Sequence, residues 1–283
     1  MYLLSYFKED AEHFFLAESK DGLHWSEKNG GLPLHKSGVG TGRIRDPFLL
    51  LDSSGHYHLL WTDGWSSRSI GYASSVDLKQ WGDERLIPLM EHQPQTQNVW
   101  APEAYYDRSL QAYRIIWSST VGEGVRNHRI WSSKTMDFKS FSPAALFFDP
   151  GYNVIDASIV DTGDTDNDYL MLFKDERGSN VQGTEYKAIR SCPVYNEPDG
   201  SVRFGRISEL LTPALTEGPT LYVLPENHAA CYRWVMLADG FQDATYTVMG
   251  SADLEHWERI PASETALPSG LRHASVLRLP EVL

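Results

Sequence analysis

Apolar residues along the chain come in short aromatic and aliphatic runs bounded by Gly, Ser, Pro and Asp. Phe48-Leu49-Leu50-Leu51 is one such run, closed behind by Ser53-Ser54-Gly55, and it reads as a buried strand. His56 to Thr62, Tyr113 to Ser118 and Tyr169 to Phe173 are further runs of β formers. An ionisable residue stands at the mouth of the first run, in Arg45-Asp46-Pro47, and the arrangement returns four times. The later copies are Trp100-Ala101-Pro102-Glu103, Ile155-Asp156-Ala157-Ser158, Glu217-Gly218-Pro219-Thr220 and Arg272-His273-Ala274-Ser275. A recurrence of about 50–60 residues is the period of β-propeller blades and similar repeats.

A second marker is offset from the first. Asp21 to Trp25, Asp77 to Trp81, Asp137 to Phe141 and Asp253 to Trp257 each follow a small residue, and a degenerate fifth copy ends at Phe204. The Asp should close a turn and the aromatic should pack between blades. Each unit then offers about four strands, and radial four-stranded units make a propeller. The expected fold is all-β: a five-bladed β-propeller, residues 1–283 forming one catalytic domain. Residues 1–29 supply strands without the ionisable marker, and the His273 marker has little chain after it. The C-terminal strand is therefore expected to be the innermost strand of a blade whose outer strands are N-terminal, which closes exposed edges.

Composition narrows the partners. A hydrophobic content of 41% with nine Trp is ample for a packed core. The net charge of −13 argues against nucleic acid and against an anionic membrane surface, which need a basic face, and is compatible with a neutral glycan. Cys192 and Cys231 form no redox or zinc pattern. Met1 to Lys8 lacks a basic leader and its apolar run is short. No run reaches the roughly 20 apolar residues of a membrane helix. The expected location is cytoplasmic, or secreted or periplasmic if a leader has been trimmed.

If the inner strands share one direction, Asp46, Glu103, Asp156, Glu217 and His273 meet at one end of the channel. Paired carboxyl groups on opposite sides of a sugar suit glycosidic cleavage, one protonating the leaving oxygen and the other activating water. A third carboxylate can tune the acid by its charge. Oxygen clusters also bind calcium, but nothing here has EF-hand spacing.

The five markers, in order and at blade spacing, resemble glycoside hydrolase family 43. That resemblance spans nearly the whole chain. It implies a five-bladed propeller, an α-L-arabinofuranosidase, β-xylosidase or arabinanase type of activity, and an inverting mechanism. It makes Asp46 the general base, Glu217 the general acid and Asp156 the residue that orients and tunes the acid. It gives His273 a place near the channel axis, holding a water or a calcium ion, with no cofactor otherwise required. Carboxyls of Asp46 and Glu217 are expected about 6.5–9.5 Å apart. Ala157 and Ala274 depart from the family's usual proline and glycine, which bears on the local backbone more than on the chemistry.

Arg45, Trp65, Trp100, Glu103, Arg272 and His273 are the candidate substrate-binding residues. Trp65 and Trp100 could stack on a sugar face or pack between blades. Glu103 could line the pocket or pair with an arginine such as Arg45. Arg43 and Arg45 could fix hydroxyls or neutralise carboxylates. The competing functions are a glycosidase of another sugar (β-galactosidase or fructosidase type), a carbohydrate-binding propeller without turnover, and a protein-interaction propeller.

Overall fold

The structure is a computed structural model that describes residues 1–163, 169–181, 183–225 and 231–280. It contains five antiparallel sheets of four strands. Blade I joins the C-terminal β20 (Arg272–Arg278) to β1 (Tyr2–Lys8), β2 (Ala11–Ser19) and β3 (Ser26–Glu27). Blade II comprises β4 (Arg45–Leu51), β5 (Tyr57–Thr62), β6 (Ile70–Ser75) and β7 (Gly82–Ile87). Blade III comprises β8 (Trp100–Asp107), β9 (Ala112–Ser119), β10 (Arg129–Thr135) and β11 (Ala145–Phe148). Blade IV comprises β12 (Val154–Asp161), β13 (Tyr169–Asp175), β14 (Ala188–Asn196) and β15 (Val202–Phe204). Blade V comprises β16 (Glu217–Val223), β17 (Trp234–Gly240), β18 (Thr245–Ser251) and β19 (Glu258–Arg259). The strands β4, β8, β12, β16 and β20 neighbour one another in a closed ring and line the channel.

The ring closes as the sequence implies. Strand β20 pairs with β1, Tyr2 opposite Arg278 and Ser5 opposite Ser275, so the first and last strands share one sheet. Five hydrophobic cores lie between the five pairs of adjacent blades. The one between blades I and V, for example, joins Tyr2, Tyr6 and Trp25 to Tyr222, Val235 and Val248. Burying each such side chain stabilises the fold by about 1.5–3 kcal/mol. Inter-blade packing therefore carries most of the stability that a lone four-stranded sheet would lack. At Gly71 a Cβ would come within 1.8 Å of the fully buried Trp61 ring, so only glycine fits there.

The Asp-to-aromatic markers are turns. Asp21, Asp77, Asp137 and Asp253 each accept two backbone N–H bonds from residues two and three positions on. The preceding hydroxyls of Ser19, Ser75, Thr135 and Ser251 cap the same turns. Trp25 packs edge-on against Tyr222 of blade V, Trp81 against Phe14 of blade I, and Phe204 against Phe147 and Phe148 of blade III.

A bulge opens every inner strand. Asp46 (φ 48°), Ala101 (φ 46°), Asp156 (φ 55°), Gly218 (φ 53°) and His273 (φ 39°) all lie in the left-handed region. The strand pairing shifts register at the same point in all five blades. A bulge bends the strand and re-aims the side chain it carries. Four non-glycine residues hold a conformation that ordinarily costs about 1–2 kcal/mol. Ala157 and Ala274 occupy the same step as Pro47, Pro102 and Pro219, so the alanines leave the bulge intact.

Candidate active site

Aligning the five bulges by backbone rather than by charge sorts the candidate residues. Asp46, Asp156 and His273 occupy the left-handed step itself. Glu217 stands one residue before that step and Glu103 two residues after it. Asp46, Asp156, Glu217 and His273 meet at one mouth of the channel, while Glu103 sits further in.

Asp46 accepts a hydrogen bond from the Thr62 hydroxyl at 2.7 Å, and its other oxygen lies 3.3 Å from Nδ1 of His273. Asp156 is buried, and its Oδ2 accepts the Gly218 N–H at 3.2 Å. Glu217 accepts a hydrogen bond from Lys174 Nζ at 2.7 Å. The Asp46 and Glu217 side chains keep 12% and 24% of their surface exposed, so these two carboxyls can face a ligand while Asp156 lies behind them. Gly218 is required twice over: its φ is positive, and a Cβ would meet the His273 ring at 2.9 Å.

Burial dominates the electrostatics. Desolvation pushes the Asp156 carboxyl up to about 7; His273 and Lys174 pull it down, while Glu217 and Asp46 add to the rise. Burial thus opposes the charge by which Asp156 is expected to tune the acid. Glu103 is pushed up to about 8, again chiefly by burial, against the Ser158 hydroxyl and the Ile159 N–H that donate to it. Desolvation opposes the charge of His273, but Asp46, Asp156 and Glu217 outweigh that and raise it.

The supporting residues follow a rule. Each first bulge residue lies opposite one residue near the end of its blade's second strand: Arg45 opposite Thr62, Trp100 opposite Ser118, Ile155 opposite Lys174, Glu217 opposite Asp239, and Arg272 opposite Phe7. That opposing residue braces the bulge of the next blade. Thr62 accepts the Ala101 N–H at 2.7 Å, Ser118 the Asp156 N–H at 3.0 Å, and Asp239 the His273 N–H at 3.0 Å. The Arg45 guanidinium lies 4.7 Å from the centre of the Phe7 ring. Lys174 grips the Glu217 side chain instead.

The arginines are committed to other partners. Arg45 and Arg43 both pair with Glu12, and Arg272 pairs with Asp239 and Glu9. The alternative in which Glu103 pairs with Arg45 is not realised; Glu103 bonds to β12 instead. The Arg45 guanidinium also lies 4.5 Å from the Trp65 ring. Trp65 is 60% exposed, and its ring stands edge-on to Trp100, whose Nε1–H donates to the Trp65 carbonyl. This pair forms an aromatic rim beside Asp46's strand.

The sequence pattern does not single out Lys174, Glu176, Thr62, Ser118, Asp239 or Phe241; Lys174 lies inside the strand Tyr169–Asp175. The detectable signal was a buried polar residue ending an apolar second strand. For a metal, among the described residues no three His, Cys, Asp or Glu side chains gather as a ligand set. His273 Nδ1 is already turned to Asp46, and calcium prefers six to eight oxygen donors.

Residues 1–281 match a family related to glycoside hydrolase family 43 and described as "Probable glycosyl hydrolase domain". A 192-residue stretch is 29% identical to an α-L-arabinofuranosidase of Bifidobacterium longum subsp. longum, covering 57% of this chain and 18% of that protein. The chain thus matches less than a fifth of that relative's length. A thermostable family-43 glycoside hydrolase superposes with a TM-score of 0.58 at 16% identity, covering 81% of this chain and 75% of the other. The native arabinanase of Bacillus subtilis superposes with a TM-score of 0.55 at 16% identity, covering 82% and 79%. At such identities the structural likeness speaks for the fold. Matched over nearly its whole length, the chain belongs to the family of probable glycosyl hydrolase domains related to glycoside hydrolase family 43.

Proposed function

We propose that the protein is a glycoside hydrolase of pentose-containing oligo- or polysaccharides, of the α-L-arabinofuranosidase or β-xylosidase type, working with inversion. The observation that carries this reading is the mouth of the channel. There Asp46 and Glu217 remain partly exposed on blades II and V, with Asp156 buried behind them. Likeness to an α-L-arabinofuranosidase supports the choice of a pentose.

The roles follow from the surroundings. Asp46 is oriented by Thr62 and by His273. It takes a proton from a water that attacks the anomeric carbon. Glu217 gives its proton to the leaving oxygen as the glycosidic bond breaks, so the sugar and the freed alcohol leave neutral. Asp156 holds the backbone of the acid's own bulge through Gly218, and its charge opposes a second charge on Glu217. Trp65 and Trp100 offer an aromatic face to the sugar chain.

Activity should be measured on 4-nitrophenyl α-L-arabinofuranoside and β-xyloside and on the disaccharides arabinobiose and xylobiose. Asp46→Asn should lower kcat by about 10²–10⁴-fold on both kinds of substrate. Glu217→Gln should do the same on a disaccharide and much less on the nitrophenyl glycoside, whose leaving group needs little protonation. Equal losses on both substrates for Glu217→Gln would remove it from the acid role. Turnover of none of the four would end the pentosidase reading.

A further inference from the structure

Three of the five blade junctions spend the residue at the end of the second strand on holding the next bulge by its backbone: Thr62, Ser118 and Asp239 each accept an N–H. At the junction of blades I and II the apolar Phe7 lies under the Arg45 side chain. The junction between blades IV and V departs in another way. Its residue is a cation that cannot accept, and the N–H it would have received, that of Gly218, goes to Asp156. The cation binds Oε2 of Glu217 at 2.7 Å instead.

Lys174 is built into this place. Its side chain is 4% exposed, its Nζ lies 2.8 Å from Glu176 Oε1, and the Phe241 ring centre is 4.1 Å away. Glu176 is itself fixed by Lys187 at 2.6 Å and Arg126 at 2.8 Å. Charges thus alternate along a row from Glu217 through Lys174 and Glu176 to Lys187 and Arg126. Burial works against the Lys174 charge, but Glu217, Glu176 and Asp156 outweigh it and keep the ammonium above the ordinary lysine range.

We infer that Lys174 is the positioning residue of the acid: its ammonium clamps the Glu217 carboxyl at the channel mouth. The inference rests on the reading of Glu217 as the acid. An ammonium beside a carboxyl favours the ionised form, and a neighbouring carboxylate disfavours it. Lys174 and Asp156 therefore pull in opposite directions. The remaining charges around Glu217 come from Asp46 on β4, from His273 and Arg272 on β20, and from Asp239 on β17. Tyr246 on β18 also faces it. Lys174 also favours the charge on Asp156, so the difference between variants reads the lysine together with its effect on Asp156.

The test is the pH profile of kcat/KM on arabinobiose or xylobiose, whichever is turned over, for the wild type and for Lys174→Met, Lys174→Arg and Glu176→Gln, with Glu217→Gln as control. Lys174→Met should move the alkaline limb up by about 1 pH unit and lower kcat about tenfold or more as the carboxyl loosens. Lys174→Arg keeps the charge and should restore the limb toward wild type. Glu176→Gln withdraws the competing carboxylate and should move the limb down. Glu176→Gln keeps the question open to refutation even if Lys174→Met folds poorly. Unmoved limbs in both Lys174→Met and Glu176→Gln, with Glu217→Gln inactive, would overturn this inference alone. An active Glu217→Gln would overturn it together with the acid assignment.

Discussion

The junction between blades III and IV and the junction between blades IV and V share one backbone plan. In both, an inner strand starts with a left-handed step, and the end of the preceding blade's second strand faces it. At the first, Ser118 accepts the Asp156 N–H and a neutral hydroxyl is enough. At the second, Lys174 ignores the backbone and takes the Glu217 carboxyl, with a row of buried charges behind it. A buried charge is costly unless it is paired, so a cation where a hydroxyl would brace the fold points to work on a side chain. The repeat supplies the scaffold; the departure from it marks the chemistry.

Replacing braces should separate the two uses. The largest stability effect is expected at the junction of blades V and I. There Asp239→Ala removes the acceptor of the His273 N–H and a partner of the largely buried Arg272. Breaking such a pair should cost about 3–5 kcal/mol, read as a fall in the denaturation midpoint. Ser118→Ala leaves only the buried Asp156 N–H without a partner and should cost about 1–3 kcal/mol. In the folded Ser118→Ala enzyme the alkaline limb should stay in place. A limb displaced as far as in Lys174→Met would erase the distinction between the junctions.

The smallest effect is a change in slope with pH. Glu103 is raised from 4.5 to about 8, mainly by burial. A carboxyl raised on folding binds its proton more tightly in the folded chain, so it favours folding at low pH. That advantage is lost as pH climbs through the folded value. The contribution of Glu103 to stability should therefore decline between about 4.5 and 8, and that of Asp156 between 3.8 and about 7. Glu103→Gln keeps an acceptor for Ser158 and removes the titration. Its thermal midpoint relative to wild type should rise steadily as pH goes from 5 to 8. A constant difference would show that Glu103 does not titrate in that range.

Much of this was legible in the sequence. The Asp-Pro, Ala-Pro-Glu and Glu-Gly-Pro steps marked four-stranded units because a bulge at a strand mouth selects small, rigid and left-handed residues. The three carboxylates stood out because charge is rare beside apolar runs. What charge alone misplaced was register. Glu217, Asp46 and Glu103 looked equivalent by type, yet they sit before, on and after the left-handed step. Proline, by its fixed place in the step, was the better ruler. The braces were harder to see. Thr62, Ser118, Lys174 and Asp239 lie in other strands, more than 15 residues from the bulges they face, and pairing register rather than sequence spacing brings them there.

The account's central claim is that Asp46 activates water on one face of a pentose while Glu217 protonates the leaving oxygen on the other. Its most direct test is the anomeric configuration of the first product. The enzyme should be mixed with arabinobiose or xylobiose in an NMR tube and followed before mutarotation. The claim predicts that the initial sugar signal has the anomeric configuration opposite to the substrate's, with the other anomer appearing only later. An initial product of retained configuration would contradict it, because a carboxylate that attacks the sugar directly cannot be the base that Asp46 is proposed to be.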